Sequence, residues 1–143
     1  MPVVVGIAIG VLAGLGVFTF GYARGAAYLT DDPAACANCH VMREQYAGWL
    51  KSSHRQAAVC NDCHTPPGFP AKYGVKALNG MFHSWAFTTG WFPDEIRITA
   101  RNRGVTERAC LKCHQDMVST LAAARGHRQK QDCILCHAHP GHQ

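Results

Sequence analysis

All eight cysteines of this chain fall into four copies of one spacing, each closed by a histidine. They are Cys36-Ala-Asn-Cys39-His40, Cys60-Asn-Asp-Cys63-His64, Cys110-Leu-Lys-Cys113-His114 and Cys133-Ile-Leu-Cys136-His137. CxxCH is the attachment signature of c-type haem: two thiols form thioethers to the vinyl groups, and the adjacent His ligates the iron. Two intervening residues set the sulfurs at the separation of the vinyls, and the next residue then lies under the ring. The chief competitor is zinc, since the Cys39–Cys60 and Cys113–Cys133 intervals also suit a zinc ribbon. Four thiolates around zinc, however, give no reason for a His after every second cysteine. Disulfides fit worse still, because CxxC rings are strained and redox-active. The pattern reads as four covalently bound haem c groups.

Four irons take up to eight axial ligands. The motifs supply His40, His64, His114 and His137, and the further candidates are Met42, His54, His83, His127, His139 and His142. Taken alone, each spare histidine could equally be a solvated surface residue, and Met42 could be packing beside a porphyrin. Met42 stands two residues after His40, which extends the first motif to CxxCHxM.

The composition agrees with a haem-filled domain. Hydrophobic residues make up 48% of the 143 and charged residues 16%, which excludes a disordered or acidic chain. The apolar residues are concentrated at the start: residues 1–23 hold no charge, and the remainder is short of Leu, Ile and Val. Such a remainder needs another source of cohesion, and a porphyrin is a rigid apolar plate that replaces core side chains. The formal charge of +5 comes without a run of Lys and Arg, which speaks against nucleic acid. About two propionates per haem would offset it.

The elements that position these motifs follow from the same chain. Pro2 to Ala23 is uncharged and as a helix spans roughly 33 Å, enough for a bilayer core. The stretch is too long for a signal peptide and lacks its basic start, so it reads as a transmembrane anchor. Haem attachment of this kind happens outside the cytoplasm, which puts the N-terminus in the cytoplasm and the haem domain in the periplasm. We expect an anchor over 1–27 and a periplasmic tetrahaem domain over 28–143. The fold class is mainly α with much irregular loop, and the motif spacing suggests two dihaem halves, 36–64 and 110–137. Helices are expected over Val41–Ser53, Ala71–Gly90, after Pro93 and over Val105–Ala124, with no strand. On the helix from Ala71, Lys76, Asn79 and His83 share one face. The segment Met81–Phe92 is aromatic-rich, as expected at the headgroup level of a membrane.

An N-terminal membrane helix, about 120 further residues, four CxxCH motifs and Met42 of Cys36-Ala-Asn-Cys39-His40-Val-Met42 together resemble the NapC/NirT family of membrane-anchored tetrahaem quinol dehydrogenases. The short chain and Cys133-Ile-Leu-Cys136-His137-Ala-His-Pro-Gly-His142 look most like the branch serving the periplasmic, ammonia-forming nitrite reductase. The resemblance implies that Met42 ligates haem 1 in place of His40, leaving the other face open for quinol chemistry. It implies His64 with His142 on haem 2, and His54 with His114 on haem 3. Haem 4 has His137, and its second ligand is implied to be a Lys from the catalytic subunit of the partner reductase. His127 is the rival for that position; His139 is too close to His137 to reach across the ring. Lys76 and His83 match the side chains that approach the quinol near haem 1, although some relatives carry Asp where this chain has His83. The implied activity is oxidation of menaquinol and delivery of electrons to the periplasmic reductase. The alternative is service to another reductase, such as nitrate reductase.

Overall fold

The computed structural model describes residues 1–125 and 132–142. Helix α1, Pro2–Tyr22, opens on a proline at its first position, where the missing N–H costs nothing, and is solvent-exposed along its whole length. A helix this long and apolar with no protein cover belongs in lipid. It stops where Arg24 takes a left-handed conformation, φ 51°, and a 3-10 turn follows over Gly25–Leu29. That turn folds back on the last turn of α1 so closely that a Cβ on Gly25 would sit 2.3 Å from the Phe20 ring. A larger residue there would push the Phe20 ring aside. The boundary expected at residue 27 thus falls inside a turn that packs on the anchor.

The rest is helical and irregular. Helix α2, Pro33–Cys36, starts at Asp32, whose carboxylate accepts from Ala34 N at 2.9 Å. A 3-10 turn over His40–Met42 leads into α3, Arg43–Lys51. Helix α4 is Cys60–His64, and Asp62 accepts from Val59 N at 2.9 Å. Helix α5, Ala71–Thr89, ends at Gly90, φ 66°, within a residue of the expected range. The helix expected after Pro93 does not form. Residues 91–99 are irregular, with β-branched Ile96, Ile98 and Thr99 disfavouring a helix. Helix α6 is Ala100–Arg125, beginning after Thr99, whose hydroxyl accepts from Asn102 N. Helix α7 is Cys133–Cys136. No strand occurs among the described residues.

These elements enclose almost nothing. Among the described residues, Val105 and Ala109 are the buried apolar ones, Thr65 and Lys76 the buried polar ones, and no large side chain is fully buried. Helix α4 packs chiefly on α6, α7 also lies on α6, and α5 leans on the 25–29 turn. The two expected halves are therefore not separate: the second motif is seated on the helix that carries the third.

Candidate haem sites and a cavity beside the anchor

The second and third motifs lie within helices, so their two cysteines (i, i+3) and histidine (i+4) emerge on one side. The first instead runs from the end of α2 through an extended Cys39 into the 40–42 turn, and in the fourth His137 follows the end of α7. All eight thiols are free. The helix that ends at Cys36 packs on α4, α4 on α6 and α6 on α7, and the Cys110 thiol donates to the Thr106 carbonyl at 3.3 Å. The motifs thus follow one another in space in chain order, first to fourth.

Two histidine pairs stand opposite one another. The rings of His54 and His114 are 6.1 Å apart between centroids and nearly perpendicular at 76°, while those of His64 and His142 are 6.1 Å apart and nearly parallel at 9°. Two imidazoles binding one metal from opposite sides, at about 2 Å per metal–nitrogen bond plus about 1.1 Å to each ring centre, hold centroids about 6 Å apart. The spacing is that of a bis-histidine iron. His54 adds a second detail: its Nδ1 lies 2.8 Å from the carbonyl of Pro140. A carbonyl only accepts, so Nδ1 carries the proton and Nε2 keeps its lone pair for a metal. Each pair draws one histidine from either side of the expected division, which again interleaves the halves. Burial holds both His64 and His142 below the ordinary imidazole range, favouring the neutral form a metal requires.

The remaining candidates are placed differently. His40 is exposed, whereas Met42 is half-buried at the end of its turn. His137 and His139 are exposed, and no imidazole faces His137 among the described residues. His127 lies outside the described residues. The fourth motif is hung from α6 by contacts that the sequence reading missed. Both carboxylate oxygens of Glu107 accept from the first amides of α7, Cys133 N at 2.8 Å and Ile134 N at 2.9 Å. Asp132 accepts from Leu135 N at 3.0 Å and from Arg103 at 2.6 Å. Asp132 ahead of Cys133 is a readable helix cap, but nothing in the sequence announces Glu107. The four CxxCH motifs, the two imidazole pairs at about 6 Å and the scarcity of buried side chains among the described residues together fit haem c.

A cavity of about 710 Å³ lies between α1 and α5 and is lined by Leu15, Thr19, Phe20, Tyr28, Lys76 and Ser84 among others. Its walls are mostly apolar, with the hydroxyls of Thr19, Tyr28, Tyr73 and Ser84 and the Lys76 amine as the polar groups. That amine is almost fully buried, donates to Thr30 O at 2.7 Å, stands 3.9 Å from Asp31 and lies 5.7 Å over the Tyr73 ring. Burial lowers the Lys76 pKa, and Asp31 opposes the shift. Asp31 itself is held below the usual carboxylate range by hydrogen bonds from Lys72 and Asn61. Burial raises the Tyr28 phenol, with added contributions from Cys39 and Cys36; Lys76 also feels Cys36. Asn38 of the first motif donates to the carbonyl of Ala23, a lining residue, at 3.1 Å, so the cavity abuts the first motif.

The shared face of Lys76, Asn79 and His83 divides on packing. Lys76 enters the cavity. Asn79 instead accepts from Arg101 at 2.6 Å and from Asn102 at 3.3 Å, and His83 is exposed outside the lining. Desolvation, with the positive charge of Arg101 second, lowers the His83 pKa. Tyr28, Asp31 and Arg101 are neighbours that sequence periodicity could not supply, since each comes from a different element.

Known proteins bear on these sites. The profile of the NapC/NirT cytochrome c family, N-terminal region, matches residues 1–143. The cytochrome c-type protein NrfH of Wolinella succinogenes is 38% identical over 134 residues, covering 87% of this chain and 76% of that protein. The cytochrome c-type protein TorC of Escherichia coli K12 is 26% identical over 164 residues; the match covers 96% of this chain but only 41% of TorC. Among solved structures, a chain of the cytochrome c nitrite reductase NrfHA complex bound to the HQNO inhibitor is similar, with a TM-score of 0.65 and 28% identity. That likeness covers 96% of this chain and 88% of the other.

Proposed function

The chain belongs to the NapC/NirT cytochrome c family, and on that premise we propose that it oxidises menaquinol at the membrane and passes the electrons to a periplasmic nitrite reductase. The observation that carries this reading is the cavity. It reaches down the anchor to Leu15 and ends beside the first CxxCH motif, so a lipid-borne substrate entering it meets the head of the motif series. Bound at the four motifs, haem c supplies a row of one-electron carriers.

The residues have distinct tasks in this reading. His64 with His142, and His54 with His114, hold the second and third irons; Met42 takes the first and His137 the fourth. Lys76 spends one N–H on Thr30 and keeps others to donate to a quinol oxygen. Asn79 holds Arg101 against α5, and His83, kept neutral by its surroundings, accepts a proton released on oxidation. The likeness to one chain of the NrfHA complex supports a stable partner subunit, whose Lys completes the fourth iron. With haem attached outside the cytoplasm, the domain stands in the periplasm. The likeness to TorC supports a second reading, delivery to a different periplasmic reductase.

The test is reduction of the purified holoprotein in vesicles by a menaquinol analogue, followed by visible absorbance. Rapid haem reduction, sensitive to HQNO, is expected. Haems that dithionite reduces but the quinol does not would overturn the reading.

A further inference from the structure

We propose that the C-terminal half of α5 and the segment after it form a second membrane contact, a wedge lying in the outer leaflet beside α1. The inference rests on the anchor, not on the identity of the substrate. There is no Asp, Glu, Lys or Arg between Lys76 and Asp94. At about 100° per residue, α5 has three sides. Tyr73, Ala77, Gly80 and Ser84 line the cavity against α1, and Lys76, Asn79 and His83 form the polar strip. The third side, Leu78, Met81, Phe82 and Trp85, is largely open, with Arg101 over its Phe82 edge: Met81 is 59% and Trp85 63% exposed. Trp91 and Phe92 continue it.

Three further observations make lipid the occupant. The cavity lining runs down α1 from Ala23 to Leu15 while it runs along α5 as far as Ser84. Leu15 lies about 10 Å below the end of α1 at Tyr22, so this part of α5 sits at the depth of the outer leaflet. The hydroxyls of Thr88 and Thr89 turn back to the carbonyls of Ser84 and Trp85, at 2.8 and 2.9 Å, and so need no water. Arg101 caps the edge of the patch, 5.5 Å over the Phe82 ring, where a headgroup phosphate would meet it. The uncharged part of α5, about 20 Å long, is too short to span a bilayer and suits an interfacial helix. Trp, Phe and Met at that level form the amphipathic belt that headgroups favour. The wedge holds the haem domain at a fixed attitude and turns the cavity mouth to the acyl chains.

The experiment uses full-length holoprotein in vesicles of phosphatidylethanolamine and phosphatidylglycerol doped with a diazirine-acyl phosphatidylcholine. After photolysis and trypsin, lipid adducts are mapped by mass spectrometry on three haem-free peptides: Met1–Arg24, Ala77–Arg97 and, as a control from α3, Glu44–Lys51. Adducts are expected on Met1–Arg24 and at comparable yield on Ala77–Arg97, with none on Glu44–Lys51. The paired substitution Trp85→Glu and Trp91→Glu is expected to remove them from Ala77–Arg97 while leaving those on Met1–Arg24 and the haem content intact. Adducts on the anchor peptide alone would overturn the proposal. If benzoylphenylalanine in place of Phe87 then cross-links two copies of the chain on photolysis, a second copy covers the face; without such cross-links, water does.

Discussion

The proton on His54 is fixed by the Pro140 carbonyl, so this imidazole is poised as a ligand before any metal arrives. His54→Ala is expected to convert one low-spin haem to high spin without loss of covalent haem, read by electron paramagnetic resonance and mass spectrometry. Unchanged spectra would remove His54 from the ligand set. The two ring pairs also differ in orientation, perpendicular for His54 with His114 and parallel for His64 with His142. The resonance spectrum should therefore hold one highly anisotropic and one ordinary rhombic low-spin signal, and His54→Ala should delete the former. At the cavity, Lys76→Ala should lower quinol-dependent reduction by roughly 10–100-fold, the range for one lost positioning donor, with dithionite reduction unchanged. An equal loss with both reductants would make Lys76 merely structural. His83 gives a pH prediction. Its pKa lies below the ordinary 6.5 through desolvation and Arg101, so the neutral base persists as pH falls to that lowered value. The quinol-dependent rate should decline only below that point. Arg101→Gln removes the opposing charge, raises the pKa and should move the acid limb upward. A limb that survives unchanged in His83→Ala belongs to another group.

Among the elements, α7 is the least self-sufficient. Four residues make a single turn, too short to hold itself, and its first amides are satisfied by Glu107 from α6. Glu107→Ala leaves two half-buried donors unpaired and should cost about 1–3 kcal/mol, visible as a lower melting temperature of the holoprotein. The expected chemical consequence is a chain lacking haem at Cys133 and Cys136 in part of the population, seen as a one-haem mass deficit. Full haem loading with an unchanged melting temperature would show that the clasp is dispensable. Helix α5 had the opposite character, since its range was readable from periodicity and from Gly90 at its end. Its side-chain assignments were not, because periodicity says which residues share a face and not what packs against each.

At the scale of the molecule, the described residues of the haem domain bury only Val105 and Ala109 as apolar core. Folding and haem attachment should therefore be one event. The chain with Cys60→Ser and Cys63→Ser is expected to lose its second haem together with the packing of α4 on α6, and to become protease-sensitive throughout the domain. A haem-deficient chain that melts cooperatively at the wild-type temperature would contradict this. The facing histidine pairs sharpen the expectation, since losing the haem that one pair would hold releases both segments that carry it.

The spacing of cysteines and histidines by itself established the haem type, and the uncharged opening segment established the anchor, because both are local patterns written within a few turns of chain. The family, too, was legible in these motifs. Which histidine faces which motif was not a property of the residues, and only the resemblance implied it. His54 meets His114, and His64 meets His142, because α4 seats on α6 and the tail returns past Pro140. Such contacts join segments far apart in the chain, and no local spacing encodes them. In the same way the sequence placed Lys76, Asn79 and His83 on one helix face. Only the neighbours, Thr30 and Asp31 on one side and Arg101 on the other, decided which of them enters the cavity. A side chain's chemistry is set by what surrounds it, and the surroundings are assembled only when the elements pack.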